Sequence, residues 1–401
     1  VNRRTVLVVG DYRQTLTIVR SLTGAGYRVI AGVDRSKTTH VSQSRRVAEL
    51  WPHPPMQSDG FAGSLTDAIE HFAPTVILPV GDKEISWFSQ RAGDIGIPIA
   101  SVSHAVASLC QEKPALLAAA DMLGIPHSTS SVASDLSALG DAADDVGYPC
   151  IIKSNDPLRR VFGSKGTVCA DRSEFERRLS RWPEGHESLI VQKFLDGARH
   201  NLYFAAHEGE VLGIVEVEIL RTDRLDGTGY AVDGRTVDLR PDLAEQTRAL
   251  AKDLDYTGVG CTQFIVSPSG ETSFLELNPR LGANYVVADA AGLPLARIAV
   301  DLARGRTVDA VHDTRSGLRY AWTIGDLYGL RHSITHSGLS PGDTLRWMVR
   351  ILTTALRARV HVTFASTDPL PSLSLFWRDL LQPLYHEVKR WALRVTHLSR
   401  R

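Results

Sequence analysis

The sequence predicts a mixed fold, α/β at its start and α+β in its middle, followed by a helical, basic C-terminal extension. Three observations carry this. Residues 5–105 alternate strand-like and helix-like runs. Between about 189 and 278, strand signals follow one another across short turns. From Pro341 onward the charge balance shifts, with ten Lys/Arg against four Asp/Glu and three of the seven tryptophans.

Thr5–Val9 is a continuous apolar run, the pattern of a strand buried on both faces of a parallel sheet. Gln14–Ala25 has helical periodicity and Gly26 ends it. Tyr27–Val33 is a second strand closing at Asp34, Leu65–Phe72 a helix, and Val76–Val80 and Ile97–Ser101 further strands. Strands joined by helical crossovers imply a parallel sheet, so residues 1–105 are expected to form a Rossmann-like domain. Its first turn, Gly10-Asp11-Tyr12-Arg13, lacks the G-x-G-x-x-G spacing of a dinucleotide site, which argues against NAD. Gln111–Leu123 reads as a helix closed by Gly124. Tyr148–Lys153 is a strand ending in lysine, followed by the polar stretch Gly163-Ser164-Lys165-Gly166. Leu189–Phe194 is a strand meeting the turn Asp196-Gly197, and Asn201–His207 and Val211–Ile219 are linked by Glu208-Gly209-Glu210. Residues 106–310 are thus expected to form a second domain, with a subdomain at about 126–191, and residues 311–401 the extension.

Composition narrows the function. A chain of 401 residues exceeds one small core, and 43% hydrophobic residues suit a folded globular protein. Equal numbers of basic and acidic residues, 45 each, argue against nucleic acid as a partner, because binding the phosphate backbone needs a basic surplus. No apolar run is long enough for a transmembrane helix, and the one at the start is too short for a signal peptide. Cys110, Cys150, Cys169 and Cys261 lack metal-like spacing and read as free thiols of a reducing compartment, which places the protein in the cytoplasm.

The strongest chemical signal is a hairpin. Cys261–Val266 and Glu271–Asn278 flank the turn Ser267-Pro268-Ser269-Gly270. Centring the turn between Ser269 and Gly270 places Gln263 opposite Glu276, where directly facing side chains lie about 5 Å apart. Asn278, two residues beyond Glu276, shares that face. Three oxygen-bearing side chains converge there, the hard donors that Mg²⁺ takes alongside water and phosphate. Arg280 follows with a positive fork. A polar, solvent-facing hairpin would explain the same residues, but Phe274, Leu275 and Leu277 make the second strand substantially buried, and buried polar groups need partners.

Phe274-Leu275-Glu276-Leu277-Asn278-Pro279-Arg280-Leu281-Gly282 resembles the metal-binding signature of the ATP-grasp superfamily. The resemblance covers roughly residues 5–310, with elements in the family's order. It implies a pre-ATP-grasp domain followed by an ATP-grasp fold, with ATP and Mg²⁺ (or Mn²⁺) as cofactors. Gln263, Glu276 and Asn278 fall on the metal positions, and a Gln at the first also occurs in carbamoyl phosphate synthetase-like members. Lys113 and Lys153 resemble the two phosphate lysines. Gly163, Ser164, Lys165 and Gly166 stand where the family has its glycine-rich phosphate loop. Gln192, Lys193, Phe194 and Leu195 resemble the hinge whose backbone reads adenine. Many relatives carry Glu at the Gln192 position and an acid soon after it for the ribose. This chain has Gln192 and then His200, which is either a nucleotide contact or a structural histidine.

The overall organisation resembles stand-alone carboxylate–amine ligases such as D-aspartate ligase. It implies phosphorylation of a carboxylate followed by displacement by an amine, with small-molecule acid and amine as partners. Arg280 and Lys153 would then act on the transferring phosphoryl group. On the substrate side the sequence offers Asp82 and Glu84, which equally suit the start of a helix, and Arg221 with Gly227–Tyr230 in a long polar loop. A carbamoyl phosphate-type enzyme and a non-catalytic nucleotide-binding scaffold are the competing readings. In the extension, Asp343–Leu356 reads as an amphipathic helix, and Ser374–Leu398 mixes Trp377, Trp391 and leucines with arginines around Pro383. Docking on the protein body or in a homodimer is one reading, and a peripheral membrane contact is the other.

Overall fold

Each of three sheets is built from one contiguous stretch of chain. They are seen in a computed structural model that describes residues 4–37, 39–154, 161–162, 166–182, 188–336, 338–378 and 382. The first contains β1 (Thr5–Val9), β2 (Arg28–Asp34), β3 (Glu49–His53) and β4 (Val76–Pro79), all parallel, in the order β3-β2-β1-β4. β1 is buried throughout. Val6 and Val8 face one core, while Leu7 and Val9 face another with Trp51, Phe61 and Phe88. The strand expected at Ile97–Ser101 is reduced to a single bridge between Ile99 and Ile77. Pro98 explains this, since it accepts from the Ile77 N–H (3.0 Å) but has no N–H of its own to extend the ladder. β3 escapes sequence reading for a related reason: it holds Pro52 and an exposed Glu49, tolerable only at a sheet edge.

The helix expected over Gln111–Leu123 is present as Lys113–Met122, and a further helix, His104–Gln111, precedes it across a break at Glu112. Pro114 cannot donate to a preceding turn and therefore starts a new helix. The second sheet follows, with β5 (Ser130–Ala133), β6 (Cys150–Ser154), β7 (Thr167–Cys169) and β8 (Leu189–Lys193), antiparallel in the order β5-β8-β6-β7. Helices Leu139–Val146 and Arg172–Leu179 close its core around Cys150, Ile152, Phe175 and Val191.

The third and central sheet runs β13-β12-β9-β10-β11-β14-β15. Its strands are β9 (Ala198–His207), β10 (Glu210–Thr222), β11 (Ala231–Val237), β12 (Gly258–Val266), β13 (Thr272–Asn278), β14 (Arg319–Ala321) and β15 (Val360–His361), and only the last pair is parallel. One face packs on helix Leu295–Ala303, which lies between it and the first sheet. The other packs on helices Pro241–Asp253 and Lys113–Met122. Two expectations change here. The stretch read as a long polar loop contains β11, and Arg221 lies within β10. The extension is not helical alone, for β14 and β15 complete the central sheet. Strands of two and three residues carry no readable period.

Helix Pro341–Arg357 buries Trp347 and Ile351 against Leu330 while Leu345, Met348, Val349, Leu352 and Leu356 face outward. Among the described residues, no helix is long and apolar enough to cross a membrane. Most of Ser374–Leu398, including Trp391, lies outside the described residues.

Candidate active site

The hairpin sets the site's first wall. β12 and β13 pair Cys261 with Asn278, Thr262 with Leu277 and Gln263 with Glu276, the register expected from the turn. A bulge after Gln263 then brings Phe264 opposite Phe274, so the strands shift only on the turn side of the three donors. Asn278 Nδ2 donates to Glu276 Oε1 (2.9 Å), which confirms that the two side chains share a face. Asn278 Oδ1 accepts from Arg280 Nη2 (3.2 Å). Arg280 also forks Asp82, Nε to Oδ1 at 2.5 Å and Nη2 to Oδ2 at 3.1 Å. Burial works against the Arg280 charge, and the Asp82 carboxylate more than offsets it, holding the guanidinium above its usual pKa. Asp82 opens helix Asp82–Gln90 at the carboxyl end of β4, so the fork joins the first sheet to the central one.

Glu84, one turn along, is buried and accepts from the Tyr12 hydroxyl (2.9 Å). Burial pushes its carboxyl above the usual carboxylate range. Glu276, Asn278, Arg280, Asp82, Glu84 and Tyr12 thus form a sequence of neighbours from the hairpin to the β1 turn. Tyr12 was not among the expected residues, because nothing in the sequence pairs it with a position 72 residues away.

The second wall comes from the second sheet. Lys153 at the end of β6 and Lys113 at the start of helix Lys113–Met122 both donate to Gln192 Oε1, at 3.3 and 3.2 Å. Gln192 is buried on β8, and its Nε2 makes no hydrogen bond. Sequence reading assigned this stretch to base recognition by backbone. The structure puts the Gln192 side chain between the two lysines. The N–H groups of Lys193 and Phe194 are donated inward, to Thr129 O (2.8 Å) and Pro149 O (3.0 Å). A base read here would use the remaining backbone groups of Lys193–Leu195. Gly163, Ser164 and Lys165 lie outside the described residues. Gly166 lies against the side chains of Ile151 and Lys153, where a Cβ would approach to about 3 Å.

Two expected residues stand elsewhere. His200 Nδ1 pairs with Glu216 Oε1 (2.6 Å), and Glu216 Oε2 accepts the Arg240 N–H (2.7 Å) at the start of helix Pro241–Asp253. His200 alternates with Asn201 on β9, and it is Asn201 that registers with Gln263. Asn201 is buried with an unbonded Oδ1 on the donor face. Its signal was the pairing of β9 with β12, invisible without the sheet order. Arg221 forks Asp326, with Nη1 to Oδ1 at 2.5 Å, and Trp347 Nε1 adds a bond to the same oxygen (2.7 Å). This joins β10 to the C-terminal segment.

The donor set suits a hard cation. One carboxylate with two amides offers oxygen only, and two ammonium groups meeting on a neutral amide oxygen suit a polyphosphate.

Comparison with known proteins points the same way. The family described as "Carbamoyl-phosphate synthase L chain, ATP binding domain" matches residues 112–311. The arginine-specific carbamoyl phosphate synthase large chain of Geobacillus stearothermophilus is 23% identical over 249 residues, 61% of this chain and 23% of that one. The chain thus spans about a quarter of the length of such curated relatives. The biotin carboxylase domain dimer of Hydrogenobacter thermophilus 2-oxoglutarate carboxylase, solved with MgADP and bicarbonate, superposes at TM-score 0.63. Its identity is 18%, covering 79% of this chain and 73% of that one. L-amino acid ligase from Bacillus licheniformis superposes at 0.63 with 12% identity, covering 79% and 78%.

Proposed function

The chain belongs to the ATP-grasp superfamily through a carbamoyl phosphate synthetase-like domain at residues 112–311, and from that premise we propose that it is an ATP-dependent carboxylate–amine ligase. The family activates carboxylates at the expense of ATP with Mg²⁺. The finer reading, C–N bond formation, is ours. In it, a substrate carboxylate oxygen attacks the γ-phosphorus of ATP and ADP leaves. The amine nitrogen then attacks the acyl carbon, loses its proton, and phosphate departs.

The observation that carries this reading is Arg280, bonded at once to Asn278 of the donor face and to Asp82 of the first sheet. With Nε and Nη2 committed to Asp82 and Asn278, the guanidinium is fixed in place and offers its charge and Nη1 to a substrate carboxylate or a transferring phosphoryl group. Glu276, Asn278 and Gln263 would hold Mg²⁺, which supplies charge neutralisation between phosphates. Lys113 and Lys153 would take the phosphate oxygens of ATP, with Gly163–Gly166 closing over them and Lys193–Leu195 reading the base. Gln192 spaces the two lysines. Asp82 and Glu84 then position Arg280 and Tyr12, a role different from direct contact with an amine. We place the reaction in the cytoplasm, where small acids, amines and ATP are at hand. The dimer named for the carboxylase relative supports a homodimer here.

ADP release with Mg·ATP, screened over pooled small carboxylates with and without pooled amines, tests the proposal. ADP formed only when both pools are present is the expected result. Glu276→Gln is expected to lower that rate by at least a hundredfold, an oxygen charge being lost from the metal face, with the melting temperature within a few degrees of wild type. ADP release independent of any amine would overturn the ligase reading.

A further inference from the structure

Arg13 opens helix Arg13–Gly24 directly after Tyr12, at the carboxyl end of β1. Its guanidinium lies 3.6 Å from the ring centre of Trp322 and 5.0 Å from that of Tyr230. Trp322 lies under the planar group, and Tyr230, whose ring stands at 89° to that of Trp322, lies to its side, so the two rings fix its orientation. Gly325 makes room for one wall, since a Cβ there would come within 2.0 Å of the Trp322 ring.

Arg13 Nη1 is buried and makes no hydrogen bond, and Arg13 forms no ion pair among the described residues. The nearby acids make no ion pair with it among the described residues, although the Asp223 carboxylate acts on it electrostatically. Asp11 faces His40 (3.6 Å), and Asp223 Oδ1 accepts the Tyr230 N–H (2.7 Å). Burial lowers the Arg13 pKa to about 10, which leaves it charged at neutral pH. A second arginine reaches the same loop. Arg199 Nη1 donates to Gly229 O (3.2 Å), while Arg199 Nε is buried without a partner. Two neighbouring guanidinium groups, each with a buried N–H donor that is unmet, are a setting that a bound anion would satisfy.

We propose that Arg13, seated on Trp322 beside Tyr230 and backed by Arg199, binds a second, non-reacting carboxylate, so that one of the two substrates is a dicarboxylic acid or an amino acid. This rests on the ligase reading, in which the reacting carboxylate lies at the donor face beside Arg280. The flat fork favours a carboxylate, which it meets with two parallel N–H donors, over a tetrahedral phosphate.

Thermal stabilisation of the full chain tests this, with succinate, acetate, inorganic phosphate and MgADP as separate probes. Succinate is expected to raise the melting temperature saturably and at lower concentration than acetate. Arg13→Gln is expected to raise the half-saturating succinate concentration at least tenfold, and Arg13→Lys, which keeps the charge without the fork, to fall between. The MgADP shift is expected to be equal in all three. Should Arg13→Gln not fold, Trp322→Leu, which removes one wall, must weaken succinate in the same way. Equal succinate responses in Arg13→Gln and wild type, or no response in wild type, would overturn the proposal. So would phosphate saturating below succinate in an Arg13-dependent manner. A missing MgADP shift with the succinate response intact would sink the ATP reading and leave the carboxylate site standing.

Discussion

Asp289 sits where helix Val286–Ala291 meets helix Arg13–Gly24, bonded only by the Ser21 hydroxyl at 3.3 Å. Burial pushes its carboxyl up to about 6, and the Ser21 bond only partly counters this. The folded state therefore holds this proton more tightly than the unfolded chain, whose carboxyl titrates near 3.8. Stability from this group is greatest below pH 4 and is lost as the pH rises to about 6, then stays level. Asp289→Asn removes the ionisation penalty. It is expected to stabilise by on the order of 2 kcal/mol at pH 8 and by little at pH 4. Urea unfolding at the two pH values measures the difference, and a gain equal at both would refute the assignment. At this scale Glu276, Asn278, Arg280 and Lys153 gave clear notice, because each lies in or follows a strand whose pattern is readable, and Lys113 did so by opening a helix. Tyr12, Arg13, Arg199 and Asn201 gave none. Their partners lie on elements distant in sequence, and only the strand order and packing bring them near.

Among elements, the turn between β4 and helix Asp82–Gln90 has the least tolerance. A Cβ on Gly81 would lie 2.3 Å from the Tyr12 ring and 2.5 Å from Glu84 Oε2. Gly81→Ala must displace the Tyr12–Glu84 pair and, through the helix start, Asp82 and Arg280. The expected cost is about 1–3 kcal/mol of stability from overpacking, with ADP release reduced at least tenfold. Wild-type kinetics in that variant would show that the Asp82 fork does not depend on this contact. The hairpin was the most legible element, because its turn residues mark where the chain reverses and alternation places Glu276 and Asn278 on one face, although the pairing of Gln263 with Glu276 is reached only across the bulge. The bulge after Gln263 was not legible, since nothing in the residues marks where one is skipped. The strand lost at Ile97–Ser101 and the break between helices at Glu112 share one lesson. Apolar pattern proposes an element, but a proline decides whether its hydrogen bonds can continue.

Across the molecule, the C-terminal segment works as a clasp. Asp326 ties it to β10 through Arg221, and Asp368 ties it to the first sheet. Asp368 is fully buried. It accepts from Arg20 Nε (3.0 Å), Ser44 Oγ (2.7 Å) and the Arg45 N–H (3.1 Å), while Arg20 also donates to Thr363 O (2.7 Å) and Asp368 O (2.9 Å). Arg20→Ala is expected to cost about 3–5 kcal/mol in urea unfolding, since it strands a buried carboxylate, whereas Arg20→Met with Asp368→Leu recovers most of it. A loss under about 1 kcal/mol in Arg20→Ala would show that water replaces the arginine.

The helix Leu295–Ala303 gives the chain a history as well as a shape. Its Leu295, Ala296, Ile298, Ala299 and Val300 share one core with Val6, Val8 and Val29 of the first sheet. On the ribosome that sheet is complete when β4 emerges, yet the helix that covers it follows roughly 200 residues later, a wait on the order of 10–40 s at ordinary elongation rates. During that interval a half-finished protein presents bare valine and isoleucine to its surroundings. Synthesis at lower temperature, or with holdase chaperones in excess, is accordingly the condition under which this chain would be recovered in good yield.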